Sequence, residues 1–145
     1  MNVFLDTNIL IYRQVATSSF HTHACRRLAE LRQDQTVLWI AYQSLREYFS
    51  VMTRPQACSP ALTASQAVHD WQQMIAAFCL TAEGPEVNQA LQALIAQKQL
   101  GGKQIHDANI VAMMQVYQIE AILTHNTADF KRFEPLIQVL PLLEA

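Results

Sequence analysis

Short apolar runs alternate along this chain with longer segments in which apolar residues recur every three or four positions. The short runs, which we predict to be β-strands, cover residues 3–5, 37–40, 78–80, 121–123 and 137–140. The spacing in the longer segments is that of amphipathic helices. Such alternation is typical of a mostly parallel sheet covered by helices. The pattern therefore predicts an α/β fold with a central, mostly parallel sheet.

Local chemistry assigns the starts of two helices and two breaks. Thr63-Ala64-Ser65-Gln66 has the form of a capping box, in which side chains satisfy free backbone groups at a helix start. The apolar face predicted for this helix is Ala67, Val68, Trp71, Met74 and Ile75. Gly84-Pro85 begins a further helix, and its predicted inward residues are Val87, Ala90, Leu91 and Leu94. The clearest breaks are residues 54–60 and 100–103.

Length and composition narrow the class of protein. The chain has 145 residues, 51% of them hydrophobic, which is enough to bury one core, so we predict a single domain over residues 1–145. A net charge of −2 argues against a protein that coats nucleic acid irrespective of sequence. No apolar run reaches the roughly 18 residues of a membrane span, and the amino terminus does not resemble a secretion signal. We expect no membrane association.

The three cysteines bear on location. Cys25, Cys58 and Cys79 form no C-x-x-C pair and leave one thiol over. This usage fits a reducing cytoplasm better than a disulfide framework. We expect all three to be small buried hydrophobic residues.

Four acids lie at the edges of apolar elements. Asp6 directly follows the first predicted strand, Glu47 lies on a helix, Asp107 begins a helix, and Asp129 follows the fourth strand. Parallel α/β topology brings strand ends and adjoining helix starts to one edge of the sheet. Two simpler interpretations stay open: Glu47 as an ordinary surface residue of its helix, and Asp107 as a first-turn residue that meets the helix dipole.

Several carboxylates in one cleft repel one another and cannot all stay ionised in isolation. A hard divalent cation such as Mg²⁺ or Mn²⁺ resolves that conflict, since it prefers oxygen ligands. The chemistry that such a site supports is attack of water on a phosphodiester. Four neighbouring polar residues, Thr7, Asn8, Thr124 and Asn126, would then orient carboxylates, water or phosphate.

Basic residues and histidines give weaker signals. Candidate contacts to RNA phosphates are Arg46, Arg54, Lys103, Lys131 and Arg132. The ordinary alternative is that they lie on solvated faces. His21 and His23 are two residues apart, so on a helix they make a poor metal pair. His106 would either touch the scissile phosphate or face solvent.

Four segments in order resemble one family. They are Asp6-Thr7-Asn8, residues 45–49 around Glu47, residues 105–112 around Asp107, and residues 123–130 around Asp129. Together they look like the PIN domain, and more closely like the VapC-type ribonucleases of toxin-antitoxin pairs. The resemblance covers essentially the whole chain.

The resemblance implies a three-layer α/β/α fold, Mg²⁺- or Mn²⁺-dependent RNA cleavage, and a homodimer inhibited by a small antitoxin. Asp6, Glu47 and Asp107 match the three core acids of the family, with Asp6 and Asp107 as the expected metal ligands. Many relatives have an acid where Asn126 stands, while Asp129 matches the acid often found before a phenylalanine. One well-bound ion is compatible with this set.

Two alternatives to a toxin ribonuclease remain. The first is a PIN nuclease that processes RNA without an antitoxin. The second is a non-enzymatic α/β binding module, or a phosphotransfer domain that uses Asp6. Phosphotransfer of the haloacid-dehalogenase kind would require an aspartate where Asn8 stands.

The helix after Thr63 suggests an assembly surface. It carries Trp71, Met74 and Phe78 near its end, which is more bulk than a helix that only covers a sheet requires. An exposed patch of this kind usually marks a partner surface. We therefore expect a two-fold homodimer through this helix. The simpler alternative, that these residues belong to the core, stays open.

Overall fold

The computed structural model describes residues 1–55 and 60–143. Its strands are β1 (Asn2–Leu5), β2 (Val37–Ala41), β3 (Cys79–Thr81), β4 (Ala121–Thr124) and β5 (Gln138–Pro141). Its helices are α1 (Thr7–Gln14), α2 (His21–Gln33), α3 (Tyr42–Met52), α4 (Ala64–Ala77), α5 (Pro85–Lys98), α6 (Gln104–Val116) and α7 (Thr127–Lys131). Each of the five predicted strands is confirmed to within one residue at either end.

The sheet has the order β3-β2-β1-β4-β5, and all of its pairings are parallel. From β1 the chain builds outward through β2 and β3 on one side, and it returns to the other side of β1 with β4 and β5. The strand order therefore reverses between β1 and β4. In open α/β sheets, ligands bind outside the carboxyl ends of the strands at this reversal.

Two hydrophobic cores cover the two faces of the sheet. Val3 and Leu5 point into the core formed with α1, α2, α3 and α4. Phe4, between them, points into the core formed with α5, α6 and α7. Side chains of a strand alternate between faces, so a strand buried on both faces is apolar throughout. The predicted three-layer α/β/α fold is thus confirmed.

The predicted helix starts are also confirmed. Thr63 Oγ1 accepts a hydrogen bond from Gln66 N at 3.2 Å, and Gln66 Oε1 accepts one from Thr63 N at 3.0 Å. Pro85 is the first residue of α5, which buries Val87 and Leu94. The predicted break at residues 54–60 lies partly outside the described residues, because 56–59 are not among them.

The apolar face predicted for α4 is wrong in part. Val68 is 60% exposed and Ile75 is 39% exposed. Conversely, Met74 and Phe78 are buried, and the Trp71 ring stacks on Phe49 with centroids 5.1 Å apart. The bulky residues that suggested a partner surface therefore belong to the core between α4 and α3.

The expectation for the cysteines is also wrong in part. Cys79 is exposed and Cys25 is half-buried, while Cys58 lies outside the described residues. Among the residues that the structure describes, no helix is long and apolar enough to cross a membrane. The cytoplasmic location stays a prediction.

Candidate functional site

The site is centred on Asp6, where β1 passes into α1. Its backbone amide donates to the carbonyl of Leu123 at 3.0 Å, which continues the pairing of β1 with β4. Thr124, at the end of β4, donates its hydroxyl to Asp6 Oδ2 at 2.7 Å. The Thr7 amide donates to Asp6 Oδ1 at 2.8 Å. Both carboxylate oxygens are therefore oriented by the ends of two adjacent strands.

Thr7 also connects Asp6 to Glu47. While its amide binds Asp6, its hydroxyl donates to Glu47 Oε2 at 2.8 Å. The other oxygen of Glu47, Oε1, accepts from Gln43 Nε2 at 3.0 Å. Although Glu47 is an exposed residue of α3, its carboxylate is held at both oxygens. This arrangement does not fit an unconstrained surface glutamate.

Asp107 and Asp129 complete the group of acids. Burial, with smaller contributions from the negative charges of Asp129 and Asp6, raises the pKa of Asp107 to about 6, against the opposing charges of Lys103 and Arg132. Burial also raises the pKa of Asp6 from its ordinary value. Hydrogen bonds from Thr124 and Thr7 oppose that rise, whereas the charges of Glu47 and Asp129 add to it. The fold therefore brings the four predicted acids close enough together for their charges to interact.

The four polar residues predicted around the acids differ in their contacts. Thr7 and Thr124 bind acids directly, and Asn8 Nδ2 donates to Asp6 Oδ2 at 3.4 Å. Asn8 Oδ1 accepts from the His125 amide, which ties α1 to the loop after β4. Asn126 is exposed, and its backbone amide donates to Thr124 Oγ1 at 3.0 Å. Its side chain makes no capping bond to α7.

The basic residues predicted to contact RNA are spread over the surface. Lys103 and Arg132 lie near enough to Asp107 to lower its pKa. Arg46 lines a groove of about 440 Å³ that Glu47 borders. Arg54, seven residues after Glu47 in the chain, donates Nε to the carbonyl of Ser50 at 2.9 Å. Lys131 is exposed.

The histidines have separate surroundings. His21 Nδ1 lies 2.9 Å from the Tyr12 carbonyl oxygen, to which it donates in the tautomer that carries the proton on Nδ1. His23 is exposed at the start of α2. His106 is exposed and lines the groove beside Glu47.

Sequence reasoning missed two groups near the acids. Gln43 contacts Glu47 from one turn earlier on α3, a spacing at which helical side chains meet, so this signal was available. The second group is a set of half-buried rings: Phe20 lies 4.9 Å from Tyr12 and 4.3 Å from His125 between centroids. Burial raises the pKa of Tyr12, and the charge of Asp6 adds to that rise. No periodicity in the sequence marks the three rings as neighbours.

The donor set fits a hard divalent cation that keeps much of its water. Among residues 1–55 and 60–143, no three His, Cys, Asp or Glu side chains are close enough to form a preassembled ligand cluster. Mg²⁺ in proteins is usually held by one or two carboxylates and retains several waters. The mutual repulsion of the four acids is the kind of local field that such a cation relieves.

The raised pKa of Asp107 predicts a specific pH dependence of stability without metal. The folded pKa, about 6, exceeds the ordinary 3.8, so the folded state binds more protons between these values and stability falls as pH rises through them. We expect Asp107→Asn to unfold at higher urea than the parent at pH 7 in EDTA, by about 1 kcal/mol after allowing for solvent screening of a half-exposed group.

This difference should vanish below about pH 3, where the carboxyl is protonated in both states. Asp34→Asn, at an exposed aspartate after α2, serves as the control and should show no such pH-dependent gain. Equal stability of Asp107→Asn and the parent at pH 7 would contradict the assigned environment of Asp107.

Comparison with known structures identifies the same architecture elsewhere. The chain is similar to VapBC-1 from nontypeable Haemophilus influenzae, at 17% identity and TM-score 0.67, with 99% of this chain and 100% of that chain covered. It is similar to VapBC2 from Rickettsia felis, solved bound to a promoter DNA fragment, at 17% identity and TM-score 0.65, with 97% and 98% covered. At these identities the likeness shows the fold alone.

A third similar structure is VapC20 from Mycobacterium tuberculosis, at 18% identity and TM-score 0.59, with 83% of this chain and 86% of that chain covered. A comparison with curated proteins finds no significant relative by sequence. A family model described as the PIN domain matches residues 3–134. That match spans β1 through α7 and includes all four acids, and the chain therefore belongs to the PIN domain family.

Proposed function

We propose that this protein is a metal-dependent endoribonuclease and the toxin of a toxin-antitoxin pair. The observation that carries the proposal is the gathering of Asp6, Glu47, Asp107 and Asp129 at the strand-order reversal, with Thr7 bonded to two of them. Oxygen donors held this way suit phosphodiester hydrolysis. Family membership supports a hydrolase that acts on phosphodiester bonds.

The acids have different parts in this proposal. Asp6 and Asp107 would hold Mg²⁺ or Mn²⁺, because they are the two whose ionised forms the fold most disfavours. The bound cation would lower the pKa of a water molecule and neutralise charge on the phosphate. Glu47 and Asp129 would orient the attacking water, and Thr7 and Thr124 fix the carboxylates that they contact.

Three basic residues are proposed to contact RNA phosphates to different degrees. Lys103 and Arg46 lie beside the acids, near Asp107 and in the groove bordered by Glu47 respectively. Arg54, which lies just beyond α3, already donates Nε to the Ser50 carbonyl of that helix, and this leaves fewer of its donors for a phosphate. Because the chain carries a net charge of −2, such local cations matter more for binding RNA than any overall field.

The similar structures support the substrate and partner that we propose. VapC20 is described as a sarcin-ricin loop cleaving toxin, which supports RNA as the substrate class. The Haemophilus structure is of a VapBC complex, and another similar structure is a toxin-antitoxin complex from Klebsiella pneumoniae. These support a small antitoxin as the partner.

Removing either proposed metal ligand is expected to abolish cleavage. We expect Asp6→Asn and Asp107→Asn each to reduce Mg²⁺-dependent cleavage of total RNA by about 100-fold or more, since each removes a charged oxygen ligand. Thr124→Val should reduce cleavage by about 10- to 100-fold, because it removes no metal ligand but takes away one of the hydrogen-bond donors that orient Asp6. Asp34→Asn is the matched control and should cleave like the parent.

Cleavage is measured on labelled RNA with Mg²⁺, with Mn²⁺ and with EDTA. Full activity of either aspartate variant, with metal present, would overturn the site assignment. RNA cleavage without any effect on growth would favour the alternative of a PIN nuclease without an antitoxin. Absence of cleavage by the parent under all three conditions would favour the binding module.

The charge of the cleft suggests how an antitoxin inhibits. Four carboxylates outnumber the cations beside them, which are Lys103, Arg132 and Arg46, so the cleft is negative when no metal is bound. An arginine or lysine from a partner peptide would pair with those carboxylates. We propose that a small antitoxin inserts such a side chain among the acids, with its apolar segments lying on nearby helices.

This mechanism predicts competition with metal. The antitoxin to test is the product of the neighbouring reading frame. We expect Mg²⁺ to weaken its purified complex with this protein, as measured by calorimetry. We expect Asp6→Asn/Asp107→Asn to bind the antitoxin about tenfold or more weakly, since two of its charge partners are gone. An affinity that neither treatment changes would rule out competition, even if the ribonuclease assignment stands.

We still propose that the protein forms a homodimer, but through a different face of α4. Trp71, Met74 and Phe78 are core residues, so the exposed apolar residues of α4 are instead Val68 and Ile75. They are seven residues apart and share one helical face. This face is the one we propose for a two-fold contact.

We expect the parent to sediment as a dimer at tens of micromolar and Val68→Lys/Ile75→Lys as a monomer, because two buried charges disfavour the contact. Val116→Lys, at another exposed valine on α6, is the control and should leave the dimer intact. A monomeric parent would refute the dimer, whereas a dimeric double variant would move it to another surface.

A further inference from the structure

A continuous chain of hydrogen bonds leads to Glu47 from outside the group of acids. Glu83, after β3, accepts from Asn109 Nδ2 at 2.9 Å. The same Asn109 nitrogen donates to Gln43 Oε1 at 3.1 Å. Gln43 Nε2 then donates to Glu47 Oε1 at 3.0 Å. The chain therefore joins the loop after β3, helix α6 and helix α3 before it reaches Glu47.

The carboxylates of Glu83 and Glu47, at the two ends, determine the donor and acceptor roles in this series of hydrogen bonds. An ionised carboxylate accepts hydrogen bonds and cannot donate, so Glu83 requires the nitrogen of Asn109 to face it. That nitrogen has a second hydrogen, which Gln43 accepts through its oxygen. Gln43 is then left with its nitrogen toward Glu47. Reversing either amide would place two acceptors against each other, so the two carboxylates together select one orientation of both amides.

We propose that Gln43 and Asn109 are positioning residues that hold the Glu47 carboxylate for catalysis, an inference that rests on the proposed ribonuclease activity. Glu47 is exposed, and without fixed partners its side chain would sample several rotamers. Thr7 holds Oε2, and the amide chain holds Oε1. Two bonds from opposite sides leave one arrangement of the carboxylate. Loss of such preorganisation slows catalysis without removing a reacting group.

The kinetic test compares two single variants with their combination. We expect Gln43→Leu and Asn109→Leu each to lower kcat for RNA cleavage, Gln43→Leu by about tenfold, with KM changed by less than about twofold. If Asn109 acts through Gln43, the double variant should have the kcat of Gln43→Leu alone. Gln73→Leu, at an exposed glutamine of α4, is the matched control and should leave kcat unchanged.

Three outcomes would overturn the proposal. A rise in KM at constant kcat would mean that the amides contact RNA directly. Multiplied effects in the double variant would mean that Asn109 does not act through Gln43. A melting temperature in EDTA that falls in step with kcat would mean that the role is structural.

A second measurement does not depend on activity. In nitrogen-edited NMR of the protein without metal, we expect the side-chain amide signals of Gln43 to shift in Asn109→Leu and in Glu47→Gln, and not in Gln73→Leu. Unchanged Gln43 signals in the first two variants would overturn the chain of bonds itself. If those signals shift as expected but the parent cleaves no RNA with Mg²⁺ or Mn²⁺, the proposed ribonuclease activity fails and, with it, the catalytic role of the chain.

Discussion

The parallel pairing of β1 with β4 is the contact on which the rest of the site depends. It places two strands that are about 118 residues apart in the chain side by side at the middle of the sheet. The pairing runs on past the strand end, where the Asp6 amide donates to the Leu123 carbonyl. One residue later Thr124 reaches Asp6 through its side chain. Backbone register thus sets the geometry of the first acid.

Because β1 is buried on both faces, that register is strongly constrained. Val3 and Leu5 fill one core and Phe4 fills the other, all without solvent exposure. A shift of one residue would exchange the faces of every side chain in the strand. Two packed cores therefore hold Asp6 in place, and the polar contacts of the site refine a position that packing has already determined.

This constraint explains how much the sequence alone could reveal. The central strands β1 and β4 were predictable because burial on both faces leaves uninterrupted apolar runs. Asp6, Asp107 and Asp129 were predictable because each follows such a run or begins a helix. The buried face of α4 was only partly predictable, because it depends on where α3 packs. The half-buried Trp71 stacks on Phe49 of α3, whereas Val68 and Ile75 are exposed. The contact between Asn109 and Gln43 joins residues 66 positions apart. No local pattern encodes such a contact, because it depends on how α6 and α3 pack.

The positions of the acids also explain how the fold tolerates several carboxylates close together with few basic residues beside them. Asp6 caps α1, Asp107 lies in the first turn of α6, and Asp129 lies in the first turn of the short helix α7. The amino end of a helix carries partial positive charge and favours a carboxylate. A parallel sheet directs helix starts to the carboxyl edge of its strands, so the fold itself supplies part of the compensating field.

Glu47 is the exception, because it lies in the interior of α3, where the helix offers no free amide. Its charge is met instead by side-chain donors, Thr7 on one oxygen and Gln43 on the other. The one acid without support from a helix start is therefore the one that depends on a hydrogen-bonded side chain from its own helix. That dependence accounts for the two amides that extend from Glu47 toward Glu83. Their orientation is set by charge at both ends, so the network is specific although its terminal acids are exposed to water.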